Sequence, residues 1–62
     1  MTKNQQMVFD RLQAETMETL TKRGRGVALE QMCIYVGISE YGTSKDKATR
    51  LLSWAKGMAA NV

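Results

Sequence analysis

The side chains able to do chemistry are few, and their pattern excludes most catalysis. The 62 residues contain no histidine, which removes the commonest general base and any Ser-His or Cys-His nucleophile. The single thiol, Cys33, lies in register with Leu29, Met32 and Val36. It therefore reads as a small core residue, since reactive thiols occupy accessible, electropositive places. The six carboxylates are scattered without metal-like spacing, and a structural zinc site has almost no ligands to draw on. Gly24-Arg25-Gly26 lacks the Lys-Ser/Thr that completes a phosphate-binding loop. These residues predict a protein that is not an enzyme and holds no cofactor or metal.

What remains is charge. The net charge is +3, and its placement says more than its sum. Residues 1–40 balance Lys3, Arg11, Lys22, Arg23 and Arg25 against Asp10, Glu15, Glu18, Glu30 and Glu40. Residues 41–62 set Lys45, Lys47, Arg50 and Lys56 against Asp46 alone. A localised basic segment is the footprint of a nucleic-acid contact, although an exposed helix face also carries lysines simply to stay solvated.

The elements that position these cations follow from periodicity. From about Gln5 to Lys22, Phe9, Leu12, Thr16 and Leu20 recur at helical spacing, with Val8, Gln13 and Met17 at the margins. Lys22 and Arg23 suit the last turn of that helix, and Gly24 its C-cap. From about Ala28 to Val36, Leu29, Met32, Cys33 and Val36 form a core stripe, and Gly37 ends it. Val27 and Tyr41 mark the only short pieces with extended character. A third helix starts at Thr43-Ser44, with Ser44 as N-cap and Asp46 in the first turn, and frays near Asn61. On it Ala48, Leu51, Leu52, Ala55, Met58 and Ala59 share one side, and Lys45, Thr49, Ser53 and Lys56 another, with Arg50 beside them. The expected core is Leu12, Leu20, Leu29, Met32, Val36, Leu51, Leu52 and Ala55. Trp54, at the edge of the apolar stripe, is a packing residue before it is a base-stacking one. Tyr35 and Tyr41 suit either a phosphate-contacting hydroxyl or an exposed interface aromatic.

The stretch from Gly26 to Ser39 resembles the first half of a helix-turn-helix, with Cys33 as the small residue before the turn, Gly37 in the turn and Ile38 as the apolar residue after it. Ser44-Lys45-Asp46-Lys47-Ala48-Thr49-Arg50-Leu51-Leu52, continuing to Met58, resembles the recognition helix of winged helix-turn-helix repressors. Arg23-Gly24-Arg25-Gly26-Val27 resembles the glycine-containing lead-in to the second helix of that family. Two features depart from it: Glu40-Tyr41-Gly42-Thr43 lengthens the turn, and no hairpin follows to make a wing. The resemblance covers roughly residues 23–58 and extends to the small accessory proteins of phages and plasmids. It implies an all-α, three-helix, helix-turn-helix-like domain without a complete wing. It also implies a DNA-binding regulator in which Lys45, Thr49 and Ser53 face base edges, while Arg50, Lys56 and Lys47 face phosphates and Arg23 and Arg25 touch backbone.

Size adds a constraint. A chain of 62 residues makes a single domain, residues 1–62, that buries about 60% of its unfolded surface and needs a staple. With one cysteine, no intrachain disulfide forms, and association is the staple left. Ile34, Tyr35 and Trp54 lie outside the core stripes and are the expected interface of a homodimer. The same apolar excess supports an alternative, a helical homo-oligomeric module that modulates a protein partner without binding DNA. No apolar run approaches the roughly 18 residues of a membrane span. No leader-like segment follows Met1, so a cytoplasmic location is expected.

Overall fold

The computed structural model describes residues 1–60 and is all-α, with four helices: α1 Lys3–Leu12, α2 Met17–Leu20, α3 Gly26–Val36 and α4 Ser44–Ala60. The expected fraying near Asn61 lies outside the described residues. No strand forms among the described residues. Val27 lies within α3, and Tyr41 in the irregular loop before α4.

The first expected helix is two helices, because two caps interrupt it. Thr2 opens α1 with a capping box, its hydroxyl accepting from the Gln5 N–H while the Gln5 side chain accepts from the Thr2 N–H. After Leu12 the chain tightens into bonds three residues apart, from Gln13 to Asp10 and from Glu15 to Leu12. Thr16 then turns extended, at φ −116° and ψ 171°, and caps α2 through reciprocal bonds with Thr19. A threonine satisfies free N–H groups better at a helix start than it fills a core position. Thr16 is accordingly exposed. The break re-aims the chain so that Leu20 is wholly buried, while Val8 takes the inner position in α1 and Phe9 is half-covered. The helix C-cap expected at Gly24 falls instead at Thr21. Lys22 and Arg23 lie beyond α2, in the loop to α3.

Helix α3 ends as its sequence predicts. Gly37 adopts φ 80°. Its N–H bonds to the Ile34 carbonyl and the Ile38 N–H to the Cys33 carbonyl, the paired bonds of a left-handed helix stop. Ile38 then packs back on the core. Helix α4 is capped one residue earlier than expected. Thr43, not Ser44, exchanges bonds with Asp46: the Asp46 N–H donates to the Thr43 hydroxyl at 3.2 Å and the Thr43 N–H to Asp46 Oδ2 at 3.1 Å. Gly42, at φ 104°, precedes this box, and a Cβ there would lie 2.7 Å from Asp46 Oδ2.

The core gathers Val8, Leu12, Leu20, Leu29, Met32, Cys33, Val36, Ala48, Leu51 and Ala55. Helices α1, α2 and α3 all pack against α4, and α1 also packs against α3. The buried strip of α4 is narrower than its apolar side. Leu52 is half-buried and Ala59 exposed, whereas Ala48 and Leu51 are fully enclosed. Leu51→Ala should therefore destabilise the fold by about 2–5 kcal/mol, and Leu52→Ala by less than about 2 kcal/mol, in urea unfolding. Equal losses would mean that Leu52 shares the core.

Candidate nucleic-acid interface

The eight polar and cationic side chains expected at a nucleic-acid surface divide into two groups. Lys45, Thr49, Ser53 and Lys56 are exposed on one side of α4. The only side-chain bond among them runs inward: the Thr49 hydroxyl donates to the Lys45 carbonyl at 2.8 Å. Lys45 and Lys56, eleven positions apart, stand about 16 Å apart along the axis at about 1.5 Å per residue. Lys47 is half-buried farther around the helix, and Arg23 is exposed in the α2–α3 loop.

Arg25 and Arg50 are engaged inside the fold. Arg25 forms a two-pronged pair with Glu15, at 3.0 and 3.2 Å, and its Nη1 also donates to the Thr19 carbonyl at 3.0 Å. This is the only ion pair among the described residues. It joins the loop that separates α1 from α2 to the start of α3. Arg50 Nη1 donates to the Ser39 carbonyl at 3.1 Å and to the Tyr41 carbonyl, so it braces the long α3–α4 loop. The guanidinium suits both tasks, because its fork makes several directed bonds at once. Sequence position alone shows neither role, since every partner lies six or more residues away.

The aromatic and apolar candidates are also distributed. Trp54 packs edge-on against Phe9, with ring centroids 6.3 Å apart and an interplanar angle of 78°, and so ties α4 to α1. Ile34 and Tyr35 are 50% and 42% exposed, and Val27, on the same outer side of α3, is 74% exposed. Tyr35 borders a small cleft of about 130 Å³ shared with Met7, Arg11 and Gln31. Trp54 lines a separate, broad open groove of about 600 Å³ with Ile38, Thr49, Arg50, Ser53, Gly57 and Met58. That groove is a surface the periodicity of α4 did not reveal, because Ile38 comes from another element and Gly57 contributes only an opening.

No cluster of potential metal ligands occurs among the described residues. Cys33 is fully enclosed, and burial pushes its thiol pKa up, which disfavours the reactive thiolate. No described helix is long and apolar enough to cross a membrane. The chain matches no protein-family model, no curated protein and no solved structure.

The Thr19 hydroxyl, and then the Arg25 guanidinium, hold the Glu15 carboxyl below its ordinary value of 4.5. A carboxyl whose pKa is lower folded than unfolded leaves the unfolded state binding more protons, so stability falls on acidification. Glu15 should stabilise the fold fully above about pH 4.5 and lose that contribution as pH drops through its folded value. Thermal melts of Glu15→Gln should show lower stability at pH 7 and a weaker acid dependence than wild type. Parallel acid profiles would remove Glu15 from the account.

Proposed function

We propose that this chain is a small nucleic-acid-binding regulatory protein, not an enzyme, that presents α4 to a duplex. The observation that supports this reading is the exposed row of Lys45, Thr49, Ser53 and Lys56, with no carboxylate paired to either lysine among the described residues. Phosphate contact needs cations that are free at the surface, because binding releases the counterions condensed on the nucleic acid. The span from Lys45 to Lys56 exceeds the width of a major groove, about 12 Å. The two ammonium groups therefore reach phosphates on either side, while Thr49 and Ser53 between them face base edges. Arg23 adds a backbone contact from the α2–α3 loop. Arg25 and Arg50 act indirectly in this reading, by fixing the loops that orient α4. The pair α3 and α4 serves as a helix-turn-helix-like unit with a lengthened turn, in a cytoplasmic protein.

A homodimer fits the same reading. Val27, Ile34 and Tyr35 are exposed on the outer side of α3 beside Glu30 and Gln31, opposite the buried stripe of Leu29, Met32, Cys33 and Val36. A second copy covering Ile34 and Tyr35 presents two α4 helices to a palindromic site. Trp54, already packed on Phe9, borders that interface at most.

Retention on heparin and gel shifts with duplex DNA across a salt series test the proposal. Affinity should fall about 1,000-fold or more between 50 and 200 mM salt if six or more phosphates are contacted. Lys45→Gln and Lys56→Gln should each lower the salt slope by about 0.9 without changing the melting temperature. Binding by wild type that is absent at low salt, or unaltered in the double variant, would overturn it. For the dimer, the melting temperature should rise with protein concentration, and Ile34→Asp should abolish the rise.

A further inference from the structure

The groove that adjoins the lysine row of α4 shares Thr49 and Ser53 with it, but its apolar floor has no role in the nucleic-acid reading. Its floor is apolar, made by Ile38 from the α3–α4 loop and by Trp54 and Met58 from α4, with Gly57 leaving it open. The glycine is unusual there. Gly57 lies inside the helix, and nothing stands within 4 Å of the position a Cβ would take, so no packing demand accounts for it. An interior helical glycine costs stability relative to alanine, and its effect here is to widen the groove.

The rim carries one cation, Arg50, and it is pre-ordered. Arg50 lines the groove, and its Nη1 is spent on the Ser39 and Tyr41 carbonyls. Its Nε and Nη2 have no partner among the described residues. A guanidinium clamped by one nitrogen with the other edge free is positioned to take a carboxylate through two parallel bonds. Lys47 stands on the same row of α4 as Arg50 and Trp54, one turn apart at each step. The whole helix carries Lys45, Lys47, Arg50 and Lys56 against Asp46 alone, and Asp46 is engaged in the Thr43 cap.

We infer that this groove binds an acidic amphipathic helix of a protein partner, with an apolar side chain seated on Trp54, Ile38 and Met58 over Gly57 and a carboxylate on the free edge of Arg50. The occupant is chosen by charge and shape. The floor asks for an apolar ridge, and an open groove running beside α4 suits a helix laid in it. The cationic rim asks for Glu or Asp flanking that ridge and rejects a basic segment. The groove shares Thr49 and Ser53 with the nucleic-acid reading, while its floor and Arg50 lie outside the lysine row.

Trp54 is the chain's only tryptophan, so its emission reports the groove directly. The probes are two synthetic helical peptides without tryptophan, each with leucines at i and i+4, one flanked by glutamates and the other by lysines. The acidic peptide should shift Trp54 emission saturably and the basic one should not. Gly57→Leu fills the groove where space is free, and should keep or raise the melting temperature while weakening the acidic peptide roughly tenfold or more. Arg50→Lys should weaken it too, by removing the fork. The inference is overturned if both peptides bind alike, or if Gly57→Leu leaves acidic-peptide binding intact. It is equally overturned if a DNA duplex produces the emission shift and Gly57→Leu abolishes that instead, or if protein concentration alone produces it, which makes the groove a self-association surface.

Discussion

A thin seam on α4 holds this fold together. Ala48, Leu51 and Ala55 are the only residues of that helix enclosed in the core, and every other helix packs against it. Two of the three are alanines, so neighbouring helices approach closely and little of α4's girth is needed to make the contact. A seam this narrow leaves much of the girth of a 17-residue helix exposed or half-buried. That surface carries the lysine row and, adjoining it through Thr49 and Ser53, the groove beside Trp54. The same economy limits stability, because small side chains bury little apolar area, and it explains why loops are tied down by arginines.

The two kinds of cation do different work. Arginine's planar fork makes several directed bonds, while lysine is a flexible, strongly hydrated point charge. Arg25 spans two loops through Glu15 and the Thr19 carbonyl, and Arg50 holds the α3–α4 loop by two carbonyls. Lys45 and Lys56 make no such bonds among the described residues and stay in solvent. Net basicity therefore overstates the charge free to meet a ligand: part of it is committed to the fold. The Thr43–Asp46 cap extends the logic, since the Thr43 backbone and side-chain bonds keep Asp46's carboxyl below its ordinary value and direct the one acidic group of α4 toward its own helix start.

Local rules made much of this fold legible, and non-local contacts hid the rest. The stripe Leu29, Met32, Cys33 and Val36 is repetitive enough to give α3 and its inner face, and Gly37 marks its end. The all-α class follows from the same periodicity. Thr16 is ambiguous by type, since it occupies a stripe position and a capping position at once. The Thr16-to-Thr19 spacing is the signal that favours a cap, and it divides the first helix. Thr43 and Ser44 are equally good caps by type, and only the partner three residues on, Asp46, decides between them. Leu52 illustrates the limit of a helical wheel: it lies on the apolar side, but the core closes over Leu51 and Ala55 before reaching it. Arg25 and Arg50 find partners across loops, which no window of sequence displays.

The central claim is that the outward lysine row of α4 is the nucleic-acid surface, with Arg25 and Arg50 bracing the loops that orient it. Backbone amide chemical-shift mapping of the isotopically labelled protein, titrated with a short DNA duplex at low salt, tests it most directly. The account predicts shifts concentrated at Lys45, Thr49, Ser53 and Lys56, with a smaller response at Arg23 and none at Glu15 or Val36. Shifts centred on the outer side of α3 at Val27 and Ile34, or no shifts at any duplex concentration, would contradict it.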